Sequence, residues 1–234
     1  MARRIGFDKE TVKHFPVILS CDPAWTGGDE TAIWYKQGHY QCLLEKFKLD
    51  KRVGDTHMVT YNKLCYWERQ LNADAVHIDQ AEGTGIYTFA MNADKHHWIL
   101  IHFGNNPTDE MNPKDSEYEN IRAMMYYHQR DALIKGGVLD SRQPEWIEDI
   151  KKQFSWTKGT RHKITNKKLA EPKVDIKSRV GKSPDVCDSG VLLYAYRVVD
   201  KLPENEMKDF DRVNRLGGGA MKMPDHKEDV YGEL

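Results

Sequence analysis

Residues 183–196 read Ser-Pro-Asp-Val-Cys-Asp-Ser-Gly-Val-Leu-Leu-Tyr-Ala-Tyr, which sets two carboxylates, Asp185 and Asp188, in the opening turns of an otherwise apolar segment. Ser183 as N-cap and Pro184 at the first helical position predict a helix that begins here and runs to about Val199. A spacing of three residues places both acids on one side of that helix. Charge on a buried helix needs compensation, and a divalent cation is one of the few partners able to supply it. Any fold of this chain has to bring counter-charge or further ligands to this place.

Two further aspartates end apolar runs upstream. Residues 17–22 (Val-Ile-Leu-Ser-Cys-Asp) read as a strand stopped by Pro23, which cannot donate to a sheet ladder. A turn at Gly27-Gly28-Asp29 leads to strands at 31–37 and 40–49 around Gly38-His39, and connections this short make the three strands antiparallel. Residues 55–71 carry a helical rhythm of apolar positions, so a fourth strand at 75–79 is reached by a crossover and lies parallel to the first. Gly83 and Gly85 open a helix through Met91, and 97–103 reads as a fifth strand. After a polar loop at 104–115, helices are expected at 116–135 and 144–154, a basic hairpin at 154–165 turning near Lys158-Gly159, and a helical turn at 175–180. The pattern predicts an α/β fold: a five-stranded mixed sheet flanked by helices, with an appended basic β-hairpin.

With 39% hydrophobic and 30% charged residues, the 234-residue chain has the make-up of a globular domain. No apolar run approaches the roughly 18 residues that cross a bilayer, so no membrane partner is expected. The N-terminal stretch is basic but lacks the apolar core of a secretory signal. Cys21, Cys42, Cys65 and Cys187 show no paired ligand spacing and lie in apolar segments, as buried free thiols do. The net charge is only −1, but residues 151–182 hold eleven Lys or Arg against two acids. A basic block beside clustered acids suits a polyanionic substrate. Residues 200–234, with nine acids, six bases and Gly217-Gly218-Gly219, are expected to form a flexible charged tail after a domain at 1–199.

An aspartate that closes a central strand lies at the sheet edge where ligands bind, so Asp22, Asp79, Asp188 and Asp185 form a candidate cluster. Hard oxygen ligands favour Mg²⁺ or Mn²⁺. Plainer readings exist: Asp22 before Pro23 also suits a turn, Asp79 a cap, and Asp185 the dipole of its helix. Asp188, one turn deeper in apolar sequence, is harder to account for in this way.

Asp22-Pro23-Ala24 with Gly27-Gly28-Asp29-Glu30-Thr31-Ala32, Ile78-Asp79 with Gly83 and Gly85, Tyr118-Glu119-Asn120-Ile121-Arg122-Ala123, and Gly181-Lys182-Ser183-Pro184-Asp185 with Asp188 occur in that order. The series resembles the nuclease domain of the large terminase subunit of tailed bacteriophages. The resemblance implies a ribonuclease H-like fold and an acidic triad of Asp22, Asp79 and Asp188 assisted by Asp185. It also implies two Mg²⁺ or Mn²⁺ ions, and endonucleolytic cutting of concatemeric double-stranded viral DNA in the cytoplasm of an infected bacterium. Asp29, Asn120 and Arg122 are expected to be structural, and Glu82 a solvated acid. Lys158, Arg161, Lys163, Lys167 and Lys168 are expected to meet the DNA backbone, with Lys177, Arg179 and Lys182 nearer the cut. In such proteins the partners are a packaging ATPase domain, the small terminase subunit and the portal, while the isolated domain is monomeric. No G-x-x-x-x-G-K-[ST] motif is present, so the ATPase domain is absent from these residues. Two other readings of the same residues are a Holliday-junction resolvase-like nuclease and a non-catalytic DNA- or portal-binding module.

Overall fold

The computed structural model describes residues 12–24, 29–50, 54–107 and 117–201. The turn at Gly27-Gly28, the start of the long helix at Ser116 and the tail after Lys201 lie outside the described residues. Alternation builds the first strand, β1 (Val17–Asp22): Val17, Leu19 and Cys21 enter one core cluster, while Ile18 enters another on the opposite face. β2 (Thr31–Gln37) and β3 (Tyr40–Phe47) follow as antiparallel neighbours, and Gly38 in the turn between them takes a positive φ of 56°. There is no room for a side chain at that turn, because a Cβ on Gly38 would run into Phe15.

Helix α1 (Thr56–Leu71), capped by the Asp55 carboxylate on the amides of His57 and Met58, carries the chain across to β4 (Ala75–Asp79). β4 pairs parallel with β1, as a crossover connection requires. Helix α2 (Gln80–Asn92) leads to β5 (Trp98–Ile101), parallel to β4. Helix α2 sits close on the sheet, since an added Cβ at Gly83 would collide with Ile78. Among the described residues the main sheet has six strands in the order β5-β4-β1-β2-β3-β6. The sequence reading of five strands is corrected by β6 (Val138–Ser141), which pairs parallel with β3 after helix α3 (Ile121–Ile134). β6 has four residues and lies at the sheet edge, too short to show a periodicity of its own.

A 3-10 turn at Pro144–Trp146 opens helix α4 (Ile147–Trp156). The hairpin is displaced from its expected place. Residues 154–156 complete α4, and the paired strands are β7 (Gly159–Arg161) and β8 (Lys168–Ala170), so the turn falls at 162–167. Helix α5 (Lys173–Val180) ends at Gly181, whose φ of 77° is the left-handed cap that favours glycine. Helix α6 (Asp185–Val191) tightens into a 3-10 turn at Leu192–Tyr194, so the last helix is shorter than the expected run to 199.

The two sheet faces hold different cores. Helices α1 and α2 cover Leu19, Cys21, Ile33, Val76 and Ile78 with Leu64, Trp67 and Ile86. The other face buries Ile18, Trp34 and Leu43 with Ile150, Val186 and Leu193, and alongside it Ile101 packs with Met124, Val191 and Leu192. Cys21, Cys42 and Cys187 are buried free thiols, and Cys65 is a half-buried one. No helix among the described residues is long and apolar enough to cross a membrane.

On the α1 side Glu68, 7% exposed, accepts hydrogen bonds from Lys95, His97 and the indole of Trp98. Burial alone would raise its pKa, but these donors outweigh it and hold the carboxyl below its ordinary value. A depressed carboxyl pKa adds stability that is present above the unfolded value and lost as pH falls through the folded one. Glu68→Gln is therefore expected to cost about 1–3 kcal/mol at neutral pH. That difference should shrink as pH falls below the ordinary glutamate range and on through the lower folded value, as the wild-type carboxyl takes up its proton. Urea melts of both proteins from pH 3 to 7 check this, and a gap constant with pH would refute it.

Candidate active site

Asp22 and Asp79 end the adjacent parallel strands β1 and β4, whose register pairs Cys21 with Ile78. Both acids therefore leave the sheet at the same edge. Strand alternation also turns both to the α6 face, where Ser20 and His77 of the same strands hydrogen-bond to the carbonyls of Ser189 and Leu192. Helix α6 brings Asp185 and Asp188 to that edge and is buried along its whole length.

Its position is fixed by three anchors. The Trp34 indole donates to the Val186 carbonyl at 2.9 Å, and Ser20 Oγ donates to the Ser189 carbonyl at 2.6 Å. At the end of the β1–β2 ladder the Ser189 hydroxyl accepts from the Asp22 amide at 3.1 Å and donates to the Ala32 carbonyl at 2.7 Å. Asp22 and Ala32 are register partners, so one serine hydroxyl ties the helix to both strands beside the acid.

The cation between the acids is Lys173, the first residue of α5. Its ammonium lies 3.1 Å from Asp185 Oδ1, 3.4 Å from Asp188 Oδ2 and 3.6 Å from Asp22 Oδ2. Burial alone would lower the lysine's pKa, but the charges of Asp22, Asp188 and Asp185 outweigh it and raise it. Burial pushes Asp22 well above the usual carboxylate range, with Lys173 opposing and Asp79, Asp188 and Asp185 adding. Burial, with Asp188 adding, pushes Asp79 up to about 6 against the pull of Lys173. The sequence reading placed Lys173 only within the basic block. A lysine in the first turn of a helix opposes the dipole, and that signal marks it as held there by other charges.

A cavity of about 650 Å³ opens over Asp22, Asp79, Asp188 and Lys173, with Arg122 and His102 in its walls. Asp188 is fully buried, and among the described residues its Oδ2 has no hydrogen-bond partner. Those residues contain no group of three or more His, Cys, Asp or Glu side chains already disposed as a metal cage. The ammonium of Lys173 is instead the shared contact of three of the four acids. Asp29 is exposed and meets Lys177 at 3.8 Å, and Glu82 is exposed on the first turn of α2. Asn120 caps α3 through the Ala123 amide.

The basic residues divide into two groups. Arg179 is committed to Glu171, Lys168 to Glu117 and the Tyr118 and Tyr127 rings, and Arg161 to the Asn166 carbonyl that closes the hairpin. Among the described residues Lys158, Lys163, Lys167 and Lys182 make no ion pair, and Lys158, Lys163 and Lys182 are exposed.

No protein-family model matches the chain, and no curated protein matches it in sequence. Its shape does match solved structures. The nuclease domain of the large terminase subunit gp2 of bacterial virus Sf6 superposes with a TM-score of 0.60 at 15% identity, over 79% of this chain and 89% of that one. A lysine-to-alanine mutant of that domain with manganese and beta-thujaplicinol gives a TM-score of 0.62 at 16% identity, covering 79% and 89%. The same mutant with calcium gives 0.60 at 16%, covering 78% and 89%. The architecture is thus that of a ribonuclease H-like domain. Within that class, it is the fold seen in the nuclease domains of phage large terminase subunits.

Proposed function

We propose that this chain is a divalent-metal-dependent endonuclease, the nuclease domain of a phage large terminase that cuts double-stranded viral DNA as genomes are packaged. The observation that carries this reading is Asp188. It is fully buried, its Oδ2 has no hydrogen bond among the described residues, and it shares one lysine with Asp22 and Asp185. An orphaned carboxylate oxygen beside other acids fits a hard cation, and oxygen-only donors suit Mg²⁺ or Mn²⁺. Asp22, Asp79 and Asp188 would hold it, with Asp185 assisting. Two bound ions supply activation of a water and stabilisation of the leaving oxygen in phosphodiester hydrolysis.

The chain's own groups do the rest. Lys173 has to yield its carboxylate contacts as a cation enters, and its ammonium is then available to a phosphate oxygen. Lys158, Lys163, Lys167 and Lys182 bind backbone phosphates without reading sequence, with Arg161, Lys168, Lys177 and Arg179 around them. The surrounding machinery in this reading is a packaging ATPase domain, the small subunit and the portal, in the cytoplasm of the infected host.

Plasmid digestion with Mg²⁺, Mn²⁺ and excess chelator tests the proposal. Nicking and linearisation are expected with either metal and none with chelator. A metal-independent cut, or no cut with either ion, would sink it. Linear duplex should be cut as readily as a four-way junction, whereas a resolvase would favour the junction.

A further inference from the structure

The two oxygens of Asp188 have unlike surroundings. Oδ1 accepts from Tyr126 Oη at 2.7 Å, from Arg122 Nη2 at 3.1 Å and, with a longer contact, from Arg122 Nε at 3.3 Å. Oδ2 has no hydrogen bond among the described residues and meets only the Lys173 ammonium, at 3.4 Å. Arg122 and Tyr126 stand four residues apart on α3, so one face of that helix presents both donors.

The donors are themselves fixed. Arg122 Nη1 donates to the Glu171 carbonyl at 2.6 Å, and its guanidinium lies 4.7 Å from the centre of the Tyr126 ring. The start of α3 is tied to the loop after β5 by the Arg122 amide on the Phe103 carbonyl at 3.0 Å. Rotating the Asp188 carboxylate out of this position would break the bonds to the oxygen held there, two of them charge-assisted by the buried guanidinium.

We infer that Arg122 and Tyr126 are positioning residues that lock Asp188 so that it ligates the metal through Oδ2 alone. This rests on the reading of Asp188 as a metal ligand and deepens it. A carboxylate held in one orientation gives up little freedom when the cation arrives. Binding and catalysis then depend on α3, an element that contributes no ligand of its own. The resemblance gave Arg122 a structural role, and the geometry directs that role at one oxygen atom.

Tyr126→Phe removes one donor and keeps the ring, and Arg122→Lys keeps the charge and loses the planar fork. Manganese binding is read by water-proton relaxation on each purified protein, beside its melting temperature and plasmid nicking. The Mn²⁺ midpoint is expected to rise about tenfold in Arg122→Lys and several-fold in Tyr126→Phe, the range for loss of a group that orients a ligand. Nicking by Tyr126→Phe should recover toward wild type at saturating Mn²⁺, as a purely structural defect would not. Should Arg122→Lys fail to fold, Tyr126→Phe decides alone. Unchanged midpoints in folded variants overturn the inference, provided wild type nicks and Asp188→Asn does not. A wild type that neither nicks nor binds Mn²⁺ removes the underlying reading instead, and the inference with it.

Discussion

Asp79→Asn is expected to abolish metal-dependent nicking, by about three orders of magnitude or more, while leaving the melting temperature close to wild type. Such a loss corresponds to about 4 kcal/mol of barrier, the scale on which a bound cation acts in phosphoryl chemistry. Asp79 is half-buried and close to other acids, and burial already disfavours its charge. A neutral amide there relieves repulsion and strands no counter-charge. Asp22→Asn should lose activity equally.

Asp188→Asn should be inactive for the same reason but not silent in stability. Repulsion among acids alone would make every such replacement harmless to the fold. Asp188, however, is the anion that answers the buried guanidinium of Arg122 as well as Lys173. Removing one member of a buried pair costs about 3–5 kcal/mol, or roughly 10 °C at this chain length. Nicking assays and thermal melts of the three variants separate the cases. Activity surviving in all three ends the assignment of the site, and an Asp188→Asn melt equal to that of Asp79→Asn refutes the account of Arg122.

The acids were legible in the sequence because each marks a local boundary. Asp22 precedes a proline that stops a strand, Asp79 ends an apolar run, and Asp188 interrupts a buried helix. Their convergence followed from one topological step, the crossover that makes β4 parallel to β1 and so puts two strand ends at one edge. What stayed hidden depends on contacts distant in sequence. Lys173 looks like any member of a basic block until α5 is set against α6. The Ser189 hydroxyl bonds 157 and 167 residues away, which no local pattern encodes. The hairpin was read too early because residues 147–156 continue as helix under an amphipathic pattern that closes on Ile150 and Gln153. The basic residues divide by tertiary pairing: Arg179 and Lys168 look like DNA contacts in sequence yet spend their charge on Glu171 and Glu117.

A loss of stability as large as that of Asp188→Asn is expected at Trp34. The residue lies on β2, next to β1, and is fully buried, with Phe154 edge-on at 6.1 Å. Gly190 of α6 lies against the indole so closely that an added Cβ would come within 3.2 Å of it. Trp34→Ala therefore opens a cavity at the contact between sheet and helix, and it leaves the Val186 carbonyl without its indole donor. Together these place the cost at about 3–5 kcal/mol, a fall of roughly 10 °C in melting temperature. The location predicts more than instability, because Val186 sits between Asp185 and Asp188 on a helix of seven residues. Loosening that helix should weaken metal binding even at temperatures where the variant stays folded. Leu43→Ala is the control: Leu43 is fully buried in the same cluster but lies on β3, away from the acids. It should cost about 2–5 kcal/mol and keep its Mn²⁺ midpoint at 10 °C. If Trp34→Ala keeps that midpoint as well, the indole serves the core alone, and the anchoring of α6 rests on Ser20 and Ser189.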